Sequence, residues 1–114
     1  MSKRILIVDD SSIMRKMITK TLTAGGHTIV GEAKSGKEAV ALYRELKPDL
    51  VTMDITMREM DGFAAAREIL KDDADAQIIF VSNLDEKKYG EDATQLGAMG
   101  YVSKNKTQKL LDLI

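Results

Sequence analysis

At 114 residues and 12.6 kDa, with 44% hydrophobic residues, the chain is sized for a single domain over residues 1–114 with one apolar core and no room for a second. Its 17 basic and 18 acidic residues leave a formal net charge of -1, so no global basic field draws in nucleic acid or an anionic membrane. No apolar run approaches the roughly 20 residues of a membrane helix, cysteine is absent and His27 is the only histidine, which argues against disulfides, thiol chemistry and a His-rich zinc site and predicts a cytoplasmic protein.

The first apolar run, Ile5-Leu6-Ile7-Val8, is continuous and rich in β-branched residues, as expected of a strand covered on both faces inside a parallel sheet. Behind it Ser11 or Ser12 can cap a helix in which Met14, Ile18 and Leu22 recur at four-residue spacing with Lys16 and Lys20 turned outward, and Gly25-Gly26 stops it. Thr28 to Gly31 then reads as a strand, and Lys37 to Leu46 as a helix with Ala39, Leu42, Tyr43 and Leu46 inward, closed by Pro48. Leu50 to Met53 is the third strand, Phe63 to Leu70 the third helix and Gln77 to Val81 the fourth strand. Lys87 to Leu96 forms a helix with a thin apolar stripe of Tyr89, Ala93 and Leu96, and Gly100 to Val102 is a short fifth strand. The tail, Gln108 to Ile114, has Leu110, Leu111 and Ile114 for a brief helix that depends on packing against the sheet.

Strands alternating with helices predict right-handed crossovers and an α/β fold with a doubly wound, five-stranded parallel sheet. Ligands of such folds sit beyond the carboxyl ends of the strands. Reading just past each strand gives Asp9 and Asp10, Asp54, Ser82 and Lys104. Each alone has an ordinary structural explanation: acids cap helices, serines make turns and lysines are solvated. Together they place three carboxylates, one hydroxyl and one amine at one end of the sheet. Two carboxylates roughly 4 Å apart repel by about 4 kcal/mol at an effective dielectric near 20. Either one acid keeps a proton or a hard divalent cation binds, and an all-oxygen, solvent-facing site favours Mg²⁺ with open positions for phosphate oxygens. The residues therefore point to phosphoryl chemistry.

At this point the chain resembles the response-regulator receiver family, and most of all its chemotaxis CheY-like single-domain type. The resemblance spans essentially the whole chain. It is carried by Ile5-Leu6-Ile7-Val8-Asp9-Asp10, by Met53-Asp54-Ile55-Thr56-Met57 leading to Met60-Asp61-Gly62, by Ser82, and by Gly97-Ala98 leading to Tyr101-Val102 and Lys104. It implies a flavodoxin/CheY-like strand order of 2-1-3-4-5 and a two-component response regulator that switches its docking to a partner protein. Asp54 is then the phosphoacceptor, and Asp10, Asp54 and the Thr56 carbonyl hold Mg²⁺ while Asp9 assists mostly through water. Lys104 offsets charge on the phosphoryl oxygens, Ser82 moves to hydrogen-bond them and Tyr101 swings inward behind it. Thr56 and Leu84, two places beyond the acceptor and the hydroxyl, tune dephosphorylation, and Leu84 has no polar group with which to orient water. Implied partners are a histidine kinase as donor, a phosphatase, and a protein target such as the flagellar motor switch, to which Ser11-Ser12-Ile13-Met14-Arg15 also points. On this resemblance the chain is a switch that assists its own phosphorylation and dephosphorylation, not a turnover enzyme.

Two positions depart from the family pattern. Arg58 stands where a proline is common, freeing the loop from a fixed φ and predicting greater mobility. Asn105 stands where the family's lysine is usually followed by proline, often after a cis bond. A cis bond before a non-proline residue costs roughly 2.5 to 4 kcal/mol, so a trans Lys104-Asn105 bond or local strain is expected, and the reach of Lys104 towards Asp54 hangs on it.

Other functions on a similar fold fit less well. A haloacid-dehalogenase-like phosphatase resembles Asp-x-Asp-x-Thr at its nucleophile, whereas the residues here are Asp54-Ile55-Thr56. A flavodoxin-like electron carrier cradles a flavin phosphate after the first strand, where Asp9 and Asp10 would repel it. A phosphorelay intermediate serving a histidine phosphotransfer domain, and a receiver-like module that binds without phosphate, remain as alternatives.

Overall fold

The computed structural model describes residues 2–114 and builds them around a five-stranded, all-parallel sheet in the order β2-β1-β3-β4-β5. The strands are β1 (Arg4–Val8), β2 (Thr28–Ala33), β3 (Leu50–Met53), β4 (Ile78–Ser82) and β5 (Gly100–Ser103). The helices are α1 (Ser12–Ala24), α2 (Gly36–Leu46), α3 (Gly62–Asp72), α4 (Glu86–Leu96) and α5 (Leu110–Leu113), with a 3₁₀ helix at Lys104–Lys109.

The continuous apolar runs predicted burial on both faces, and β1 from Ile5 onward, β3 and β4 are buried at every position. Successive side chains point to opposite faces. Ile5, Ile7, Leu50, Ile79 and Val81 meet Ile18 and Leu22 of α1 and Leu110 of α5 in one cluster. Leu6, Val8, Val51, Met53, Ile78 and Phe80 meet α2, α3 and α4 through Ala39, Tyr43, Ala65, Ile69 and Ala93 in the other. Small alanines on that side let the helices lie close to the sheet, so a truncation such as Ile78→Ala leaves an unfilled cavity and costs about 2–5 kcal/mol.

Each longer helix begins on a side-chain cap. Ser11, Ser35, Asp61 and Asp85 accept from the backbone N–H of Met14, Glu38, Ala64 and Lys87, satisfying donors that helix starts leave unpaired. At the other end of α2, Lys47 turns left-handed at φ 46 and its N–H bonds the Tyr43 carbonyl. The Arg4 guanidinium donates to the Leu46 and Lys47 carbonyls at 2.9 Å each, so a residue of β1 caps α2.

The boundaries correct the sequence reading in two places. The second strand runs on past Gly31 to Ala33, because Glu32 and Ala33 pair with Ile7 and Val8. The tail is not one helix over Gln108 to Ile114: it is the 3₁₀ helix Lys104–Lys109, capped by Ser103 and kinked at Lys106, followed by the single turn of α5. Leu110 is fully buried, whereas Leu111 stays 37% exposed. No cis peptide bond occurs among the described residues, so Lys104-Asn105 is trans as expected.

Candidate functional site

The carboxyl ends of β1, β3, β4 and β5 converge at one end of the sheet, as parallel pairing requires. Asp9 follows β1 and stays in register through its N–H to the Ala33 carbonyl (3.0 Å); the N–H of Asp54, after β3, donates to the Val8 carbonyl (2.9 Å). These two bonds set the acids side by side. Carboxylate oxygens of Asp9, Asp10 and Asp54 lie within 4.8 Å of one another, with Asp9 and Asp54 buried and Asp10 exposed.

Lys104 reaches in from the end of β5. Its Nζ lies 3.0 Å from Asp9 Oδ2 and 3.3 Å from Asp54 Oδ2. The ammonium thus lies between the two buried carboxylates, and its contact to Asp9 is the shorter of the two. Asp9 Oδ1 accepts from the Ser11 N–H and Asp54 Oδ1 from the Ile55 N–H, both at 2.8 Å. Burial first, and then the Asp9 charge, push the Asp54 carboxyl up to about 6, while Lys104 and the Ile55 N–H act in the opposite direction. Burial works against the charge on Lys104, but the facing Asp9 and Asp54 outweigh it and hold its pKa above the ordinary lysine value.

One ammonium cannot neutralise three carboxylates. Three clustered carboxylates sharing that one ammonium, with one acid exposed and an all-oxygen donor set, fit a hard divalent cation. Thr56, whose carbonyl was expected to join it, lies in the exposed loop that follows Asp54.

That loop is held by short contacts. The Gly62 N–H donates to the Ile55 carbonyl at 2.7 Å and the Gly36 N–H to the Met60 carbonyl at 3.2 Å. A side chain at Gly62 would collide with the Asp54 carbonyl oxygen, so only glycine lets α3 start this close to the acceptor. Glu59 and Met60 both take positive φ, 60° and 130°, in the segment that Arg58 leaves without proline. Arg58 and Glu59 are exposed and line, with Asp10, Lys34, Ser35 and Glu38, an open hollow beside the acids.

Ser82 and Tyr101 are linked through one residue. The Leu84 N–H donates to Ser82 Oγ (3.0 Å), and the Tyr101 hydroxyl donates to the Leu84 carbonyl (3.0 Å). Tyr101 is therefore outside the carboxylate cluster, half-buried on β5 beside Phe80 of β4, and coupled to the site through the backbone of Leu84. The Leu84 side chain packs against the α2–α4 core cluster.

The sequence reading missed Arg15 and Glu32. Arg15 is buried on α1 and donates from Nη1 to the Asp9 carbonyl (2.8 Å) and from Nε to Glu32 Oε1 (3.0 Å). A signal was available, since Arg15 precedes Ile18 by three residues and Leu22 by seven and so shares the inward face of α1.

Fold and site together define a receiver domain. Residues 5–114 match the response regulator receiver domain family, and the chain belongs to it, which places it among the response regulators of two-component signalling. It is 47% identical over 104 residues to chemotaxis protein CheY of Thermotoga maritima, covering 91% of this chain and 87% of that one. Over the same length and shares it is 49% identical to chemotaxis protein CheY of Bacillus subtilis. Among solved structures it superposes with a TM-score of 0.92 at 34% identity on a chain of the CheX-CheY-BeF3-Mg+2 complex from Borrelia burgdorferi, covering 96% of this chain and 84% of that one.

Proposed function

We propose that this receiver domain accepts a phosphoryl group on Asp54 in a Mg²⁺-dependent reaction and thereby switches its docking to a partner protein in chemotaxis. The observation that carries the reading is the meeting of Asp9, Asp10 and Asp54 within 4.8 Å with the Lys104 ammonium 3.3 Å from the acceptor carboxylate.

An Asp54 carboxylate oxygen attacks phosphorus, a mixed anhydride forms, and the bond from phosphorus to the donor breaks with its electron pair leaving on the donor. Lys104 offers its ammonium to the transferring oxygens. Asp10, Asp54 and the Thr56 carbonyl, assisted by Asp9, would hold Mg²⁺, which would supply charge to offset that remaining on the phosphoryl oxygens. Ser82 gives its O–H to the phosphoryl group. Because the Leu84 N–H bonds Ser82 and the Leu84 carbonyl holds Tyr101, a displacement of Ser82 reaches the β5 surface through a single residue. Leu84 presents no polar side chain to water, so hydrolysis of the acyl phosphate is slow, and Leu84→Glu accelerates it.

The donor is a histidine kinase, and the output a protein such as the flagellar motor switch, a reading supported by the CheY relatives. A phosphatase resets the switch; one structural relative is seen in complex with CheX. Incubation with acetyl phosphate, with and without Mg²⁺, followed by intact mass tests the chemistry. One phosphoryl group gained only with Mg²⁺ and lost in Asp54→Asn is expected. No gain in wild type, with no Mg²⁺ binding, overturns it in favour of a phosphate-independent module.

A further inference from the structure

Arg15 lies on the inward face of α1 and is 9% exposed, a position at which an unpaired guanidinium would be strongly unfavourable. Its partners are specific. Nη1 bonds the carbonyl of Asp9 in a buried contact of 2.8 Å, and Nε bonds Glu32 Oε1 at 3.0 Å.

Glu32 arrives there by way of an irregularity in the sheet. Arg4 pairs with Thr28 and Ile5 with Ile29, but Leu6 pairs with Gly31 and Ile7 with Glu32, so Val30 is an extra residue in β2. In an unbroken strand Ile29 and Gly31 would share one face and Glu32 would take the other. The extra residue reverses that alternation. Gly31 then faces α2, where a side chain would run into Leu46. Glu32 takes the face of Ile7, which belongs to the α1 side. Bulges re-aim side chains beside functional sites, and this one delivers a carboxylate to the arginine that holds Asp9.

Besides the Lys104 ion pair on its Oδ2, Asp9 makes three hydrogen bonds: its N–H to Ala33, its Oδ1 from Ser11 and its carbonyl from Arg15. The third acts on the peptide that links Asp9 to Asp10, and it is the one of the three made by a side chain. Orienting that peptide sets the direction in which the exposed Asp10 carboxylate leaves the chain. Lysine cannot replace the planar fork that serves a carbonyl and a carboxylate at once.

We propose that Arg15, oriented by Glu32, is a positioning residue for the cation site: it fixes the Asp9-Asp10 peptide and so sets Asp10 against Asp54. The inference rests on the reading of the acids as a Mg²⁺ site. Arg15 bonds Glu32 and the backbone carbonyl of Asp9, not the Asp9, Asp10 or Asp54 carboxylates, so it acts through the Asp9 main chain. Outer partners of this kind typically alter metal affinity by 10–100-fold when removed.

The test is isothermal titration of the metal-free full chain with MgCl2, with melting temperature recorded for every variant. Arg15→Lys is expected to weaken Mg²⁺ binding about tenfold. Glu32→Gln weakens it less, and Arg44→Gln, which breaks an ion pair with Asp72 at the far end of the sheet, leaves it unchanged. In the metal-free protein the backbone amide shifts of Asp10 and Ser11 move in Arg15→Lys and Glu32→Gln. With acetyl phosphate, half-saturating Mg²⁺ rises in both variants while the rate at saturating Mg²⁺ stays near wild type. A purely structural role would lower the melting temperature and leave Mg²⁺ affinity alone. Wild-type affinity in both variants overturns the inference, and Glu32→Gln, on a half-exposed side chain, decides it if Arg15→Lys does not fold. Failure of wild type to bind Mg²⁺ at all overturns the reading of the site, and the inference with it.

Discussion

The two ends of this sheet treat charge in opposite ways. At the amino end the polar groups are matched: Arg4 donates to the Leu46 and Lys47 carbonyls, its N–H meets Asp49 at 2.8 Å, and the Tyr43 hydroxyl donates to Asp73 at 2.8 Å. Burial raises the Tyr43 pKa and the Asp73 carboxylate raises it further, so this hydroxyl stays protonated and remains a donor. At the carboxyl end Asp9 and Asp54 are buried together and share the single Lys104 ammonium, and Asp54 is pushed up to about 6. One end spends its polar contacts on closing helices; the other leaves repulsion in place for a ligand to relieve. The same strands thus carry a satisfied end and a poised end.

That contrast is broken most strongly at Lys104. Replacing it by methionine removes the cation between two buried acids, and breaking such a pair costs about 3 kcal/mol or more. Denaturant titration of the metal-free protein should show this loss, and added Mg²⁺ should recover part of it.

Asp54→Asn sharpens the contrast with the opposite sign. It removes one of the repelling charges, so the metal-free melting temperature at pH 7 should rise even though phosphoryl acceptance is gone. The pH dependence follows from the same shift. With the folded pKa near 6 and the ordinary value 3.8, the native state binds the proton more tightly than the unfolded chain. Stability from this group is therefore greatest below about 3.8 and is lost as pH rises through about 6. Thermal melts of metal-free wild type should fall between pH 5 and pH 7 relative to Asp54→Asn, and Mg²⁺ should flatten the difference.

Smaller effects belong to the amino end and the sheet centre. Arg4→Ala leaves two carbonyls at the end of α2 without their donor and should cost about 1–2 kcal/mol by urea titration, with phosphorylation unchanged. Thr52 is fully buried between Ile7 and Ile79, and its hydroxyl has no partner among the described residues. Thr52→Val should therefore stabilise the protein by about 1 kcal/mol, and a lower stability in urea would mean that a water or an unseen acceptor serves the hydroxyl.

Much of the fold was legible because strand and helix periods are local. The run Ile5 to Val8 announces a strand buried on both faces, and Ser11, one of two serines read as a cap for the first helix, does cap it; the caps Ser35, Asp61 and Asp85 came only with the structure. The acids, Ser82 and Lys104 were legible as well, since alternation of strands and helices brings every strand end to one side. Less legible was the tail, because a lone helical turn takes its shape from what it packs on, and here Leu110 alone is drawn fully into the core.

By itself, then, the chain's order of residue types determined the architecture, the end of the sheet where chemistry lies and the residues that meet there. Only the tertiary structure decided how they meet. The pairing of Lys104 with both Asp9 and Asp54, the bridge from Ser82 through Leu84 to Tyr101, and the contact of Arg15 with the Asp9 carbonyl all join segments distant in the chain. The extra residue at Val30 shows why. Which face Glu32 takes depends on how β2 aligns with β1, and alignment is a property of two strands that neither one carries alone.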